Sequence, residues 1–147
     1  MKKEPIEHKP TLKEILLDDS NGFIPLPRQL ITILGFNATG LLVELYDRYD
    51  YYSSQQSLNT YGEFFYTVND IEINTGLSRR EQTTSIKILK EYNFIERIIS
   101  RDMPPKRYFL MNSNITHLLK NIYKKAEEKK SNIIERNKTE IERMLGT

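Results

Sequence analysis

The sequence predicts an α+β fold, mainly helical with a small antiparallel β element and extra helices at both ends. Three observations carry this. Apolar residues recur at helical spacing in separated runs, at Leu12–Leu16, Leu41–Tyr49, Gln82–Leu89 and Ile115–Ala126. Short runs rich in aromatic and β-branched residues, at 62–68, 94–100 and 108–112, read as strands. Between them stand helix punctuators: Thr67 and Ser78 as starts, Gly76 and Asn93 as stops.

Bulk properties bound the function. With 147 residues and a hydrophobic fraction of 38%, the chain can build one core. It has no cysteine, which excludes disulfides, zinc-thiolate sites and cysteine nucleophiles and fits a cytoplasmic location. There is no apolar run long enough for a membrane span, and the N-terminus lacks the uninterrupted apolar stretch of a secretory signal. The net charge of +2 hides a segregation: residues 28–78 carry two basic against six acidic side chains, whereas 79–107 carry eight against four.

Taken in order, residues 1–9 are polar and expected to be loose, and Thr11–Leu17 is expected to form a short helix. Pro25 and Pro27 keep Gly22–Leu26 extended. Asn37 or Thr39 caps a helix whose stripe is Leu41, Leu42, Leu45, Tyr46 and Tyr49; its tyrosines are expected in the core rather than on a base-stacking surface. Ser53–Thr60 is a polar loop, and Gly62–Val68 a strand.

Thr67 opens the next helix, with Asp70 favouring its positive end, and Gly76 stops it by tolerating a left-handed backbone. Ser78 and Glu81 fit a capping box at the start of a longer helix. Its inward face is Gln82, Ile86 and Leu89; the polar Gln82 is expected at the rim. Strands Phe94–Ser100 and Tyr108–Asn112 follow, with Arg97 expected on the surface. Between them runs a basic loop, 101–107, stiffened by Pro104 and Pro105. After Ser113 a helix continues through Ile115, Leu118, Leu119, Ile122 and Ala126. Its stripe fades at 127–132, then returns at Ile133, Ile134, Ile141 and Leu145. That stripe packs either on its own domain or on a second copy of the chain.

Strand, short helix, tight turn, longer helix, strand, basic loop, strand is the order of a winged helix-turn-helix: mainly α with a small β-wing. The expected organisation is an extension at 1–21, this domain at 22–112, and a helix or tail at 113–147 for dimerisation or linkage to a partner. A helix that enters the major groove needs small polar and cationic side chains near its start. Arg79, Arg80, Thr83, Thr84 and Lys87 supply them, and Arg101, Lys106 and Arg107 suit phosphates from the loop. Arg80 and Thr83 are expected to read bases, Lys106 and Arg107 to hold phosphates. Cations at a helix start oppose its dipole, so Arg79 and Arg80 call for an anionic partner.

The run FFYTVNDIEINTGLSRREQ, then IKILKEYNFIE, then MPPKRYFLMN resembles the N-terminal winged-helix domain of replisome organiser and replication initiator proteins. These belong to phages and mobile elements of Gram-positive bacteria and are relatives of DnaD-like primosome proteins. The upstream GFIPLPRQLITILGFNATGLLVELYDRYDYY is similar to their first strand and helix, so the resemblance covers about residues 22–112. It implies origin recognition on double-stranded DNA and recruitment of host primosome or helicase-loading proteins. Two departures stand out: Asp102 where the family's wing has glycine, and Asn93 where glycine usually follows the recognition helix. The chain ends without a DnaD-like second domain, as expected of an N-terminal piece or a small stand-alone protein.

Two other functions fit the same residues: a transcriptional regulator at an operator, and, given the acidic residues before position 78, a protein-interaction module that no longer binds DNA. Enzymatic chemistry is not expected. No GxxxxGK[ST] loop is present, His8 and His117 have no metal-ligand pattern around them, and no nucleophile stands beside a base. No metal or cofactor is expected.

Overall fold

A computed structural model describes residues 7–17, 22–103 and 106–146. The two prolines expected to stiffen the basic loop and the first six residues of the N-terminal extension lie outside these. Six helices and three strands occur among the described residues: α1 (Leu12–Leu16), α2 (Arg28–Leu34), α3 (Phe36–Ser54), β1 (Phe64–Thr67), α4 (Val68–Thr75), α5 (Arg79–Glu91), β2 (Ile95–Ser100), β3 (Lys106–Met111) and α6 (Ile115–Met144). The fold is α+β, with the strands in one antiparallel sheet of order β1-β3-β2. None of these helices is long and apolar enough to cross a membrane.

Helix α2 was not expected. Pro27 supplies its N-cap, and a left-handed Gly35 (φ 83°) separates it from α3. Leu30 and Leu34, four residues apart, bury on one face, and that spacing overrides the extended tendency set by the prolines. No strand forms ahead of it: Gly22–Pro27 is irregular. Helix α3 therefore starts earlier than the cap expected at Asn37 or Thr39, and both residues lie inside its first turns. It also runs on to Ser54, into the expected loop.

Tyr46 and Tyr49 pack against the core as expected, with Tyr52 at the helix end, while Tyr51 is exposed. The Tyr46 hydroxyl donates to the Asn112 carbonyl at 2.9 Å, and Tyr52 stacks on Phe64 with ring centroids 5.9 Å apart. Phe64 stacks in turn on Phe109 of β3, joining α3 to the sheet. Leu41, Leu45, Ile71, Leu89, Phe94 and Phe109 are its fully enclosed apolar centre.

The α4–α5 pair is built by local signals. The Thr67 hydroxyl accepts from the Asp70 amide at 3.0 Å, and Gly76 (φ 76°) closes α4 in the left-handed region. Ser78 and Glu81 form the expected capping box, and Asn93 takes φ 63° just past α5.

Strand β3 begins at Lys106, two residues earlier than expected, so Lys106 and Arg107 are strand residues opposite Thr67 and Tyr66 rather than loop residues. The expected boundary at 112 is crossed by packing. Ile122 belongs to the same core as α3 and the sheet, and Lys129 donates to the Thr32 carbonyl of α2 at 2.8 Å.

Candidate nucleic-acid interface

The turn between α4 and α5 is three residues long, and the start of α5 packs on one side against the start of α3. Arg79, Arg80, Thr83, Thr84 and Lys87 are all exposed on α5. Residues 79, 83 and 87 follow one another at intervals of four and share one face; 80 and 84 lie on the next. Arg79, Arg80 and Lys87 have no carboxylate partner among the described residues. The threonine hydroxyls turn back on their own helix, Thr83 donating to the Arg79 carbonyl at 2.9 Å and Thr84 to the Arg80 carbonyl at 3.2 Å. Their methyl groups and free lone pairs are what they offer outward.

Glu81, the one acid in this stretch, is occupied. It accepts from the Ser78 amide at 3.1 Å and from Asn37 at 3.3 Å, and the Ser78 hydrogen bonds hold its carboxyl below the usual range.

Gln82 is a correction. It was expected at the rim and is fully buried. Its amide nitrogen donates to the Val68 carbonyl of α4 at 3.0 Å and to the Leu77 carbonyl of the turn at 2.9 Å. An apolar side chain would leave these buried acceptors without that donor, which is the physical reason a polar residue is stable there.

The basic residues near β3 fall into two groups. Arg107 is half-buried, its guanidinium donating to Gln82 Oε1 at 3.4 Å; burial, and then the charge of Arg79, lower its pKa. Lys106 holds its ammonium 5.3 Å from the Phe65 ring centroid.

Arg101 is different: it donates to Glu63 at 2.7 Å and lies 4.4 Å from the Tyr108 ring centroid. Its positive charge, expected on phosphate, is offset by that carboxylate. Arg97, an exposed strand residue as expected, holds the same carboxylate at 2.8 Å. Asp102 is exposed beside them.

The structure thus brings together Arg79, Gln82 and Arg107, places Arg80, Thr83, Thr84 and Lys87 beside them, and ties Arg101 to Glu63. The roles of Gln82 and Glu63 escaped sequence reasoning. A polar residue at an inward helical position was the available signal for Gln82. Glu63, 34 and 38 residues from its arginines, gave none.

No family model matches this chain, and neither a curated protein nor a solved structure matches it. The residues themselves are the basis for a functional reading.

Proposed function

We propose that this protein is a sequence-specific binder of double-stranded DNA, a winged helix-turn-helix. In this reading α4 and α5 are the helix-turn-helix, α5 enters the major groove, and the β2–β3 hairpin is the wing. One observation carries it: Arg79 and Arg80 at the start of α5, and Lys87 two turns on, lie on its exposed side with no carboxylate among the described residues to neutralise them. Cations near a positive helix end are unfavourable without an anion, and a phosphate backbone is the anion that matches an extended cationic surface. Arg80 and Thr83 read bases; Lys106 and Arg107 meet phosphates. The process served is origin recognition in phage or mobile-element replication, as the resemblance to replisome organisers implies, with primosome or helicase-loading proteins recruited through other surfaces. No catalytic step belongs to this reading. A second copy of the chain pairs through the distal half of α6, giving a two-fold binder of two half-sites.

Selection of bound sequences from a random duplex pool tests the reading. A palindromic enriched site is the expected result, and no enrichment would sink sequence-specific binding. The surface is tested by Arg80→Ala combined with Lys106→Ala. Binding equal to wild type across a salt series would show that another face carries the DNA. Genomic position separates the replication role from a regulator: sites within or beside the coding gene favour an origin, a site at an upstream promoter an operator.

A further inference from the structure

Gln82 is held so that only one orientation of its amide works. Both amide hydrogens are spent on buried carbonyls, Val68 at 3.0 Å and Leu77 at 2.9 Å. A flipped amide would set its oxygen against two other oxygens. Its Oε1 is therefore fixed, and Arg107 Nη1 meets it at 3.4 Å. One side chain thus links α4, the turn, α5 and the central strand β3.

Arg79 stands three residues before Gln82 on α5, the spacing of side chains that neighbour each other on a helix. Arg79 thus lies on the flank of α5 next to Gln82, close enough for its charge to act on Arg107, which approaches Gln82 from β3. Neither has a carboxylate among the described residues, and Arg107 is half-buried. Partial burial of a cation beside another cation is costly unless an anion completes the group. Among the described residues, four of the five N–H donors of Arg107 have no hydrogen-bond partner, and planar donor forks match phosphate oxygens.

We infer that Arg79 and Arg107 grip one and the same backbone phosphate of the DNA, and that Gln82 is the positioning residue that fixes Arg107 for it. This rests on the DNA-binding reading above and adds one assignment to it: Arg79 joins Arg107 on a phosphate and sets the register of the protein on the duplex. Two planar donor forks converging from two elements match the several oxygens of one phosphate, so the shared ligand is a phosphate.

The test is a double-mutant cycle on the full chain with a selected duplex, measured across a salt series. Arg79→Gln and Arg107→Gln should each weaken binding roughly tenfold, and the double variant little more than either. Because a single phosphate needs both guanidiniums, the salt slope should fall by about one unit in either single variant and no further in the double variant. A fall near two units with additive losses would mean two separate phosphates, and an unchanged slope would mean none; either overturns the inference while leaving DNA binding intact. Wild type that binds no duplex would sink the underlying reading and this inference with it. Gln82→Met keeps every charge. Below its melting temperature it should reproduce the slope of Arg107→Gln with unchanged base preference; a lower melting temperature with a wild-type slope would make Gln82 purely structural. If that variant fails to fold, the arginine cycle still decides the shared phosphate.

Discussion

Arg101 and Glu63 are joined across the whole sheet. Glu63 stands just before β1 and Arg101 just after β2, with β3 between these edge strands, yet their side chains meet at 2.7 Å. The Glu63 side chain is fully enclosed and also accepts from Arg97 at 2.8 Å and Asn59 at 3.0 Å. The hydrogen bond from Asn59, and after it the two guanidiniums, hold its carboxyl below the usual range. The result is a clip over β3 at the base of the β2–β3 hairpin.

Glu63→Gln should loosen that clip. Hydrogen bonds to a charged group contribute about 1.5–3 kcal/mol, and the arginines, 45% and 37% exposed, place the loss at the lower end. The pH dependence has a definite sign. A carboxyl lowered in the folded state stabilises above the ordinary value of 4.5 and loses that contribution as pH falls through its folded value. Urea titrations at a series of pH values should show wild type and Glu63→Gln converging as pH drops below 4.5. A constant gap down to strongly acidic pH would rule the mechanism out.

Two of the nine tyrosines should ionise late. Burial raises Tyr46 and Tyr66 to about 12, and Tyr66 also donates to the Glu44 carboxylate at 2.7 Å. A group raised in the folded state stabilises fully below its unfolded value, here 10.0, and that contribution is lost as pH rises toward 12. Ultraviolet titration should show two phenols ionising only with alkaline unfolding. All nine titrating together in the folded protein would contradict it.

Thr39→Val should stabilise the protein. Thr39 is fully buried in α3 and its hydroxyl has no hydrogen-bond partner among the described residues. Valine has nearly the same shape and helix propensity and carries no unpaired hydroxyl, so a gain of about 1 kcal/mol is expected in denaturant unfolding. A loss of stability would mean that the hydroxyl is satisfied in solution.

Helix α6 is 30 residues long, about 45 Å, and its last 18 residues are exposed. Ile134, Asn137, Ile141 and Met144 stand at alternating intervals of three and four on that half, the spacing of a two-helix seam. Sedimentation should find a dimer, and Ile134→Glu with Ile141→Glu should give a monomer whose melting temperature, taken below the dimer's dissociation range, is unchanged. Wild type that sediments as a monomer at tens of micromolar would end the dimer proposal.

The α4–α5 unit was legible in the sequence because its signals are local. A threonine or serine whose side chain reaches an amide three residues on, and a glycine that turns left-handed, act within one helical turn. The exposure of Arg79, Arg80, Thr83, Thr84 and Lys87 followed from helical phase in the same way. Helix α2 was missed because two prolines just ahead of it suggested an extended chain, while the evidence for it, Leu30 and Leu34 burying against α3 and α6, is a tertiary fact.

By itself, then, the sequence determined where α4 and α5 start and stop, which face of α5 is apolar, and where positive charge gathers along the chain. Only the tertiary structure decided which of those charges remain available. Arg101 and Arg97 share the single carboxylate of Glu63, Arg107 is drawn to Gln82, and Arg79 and Arg80 have no carboxylate among the described residues. The reason is physical: hydrogen bonds and ion pairs act over about 3 Å, and strand register and helix docking bring residues within that range however far apart they stand in the chain.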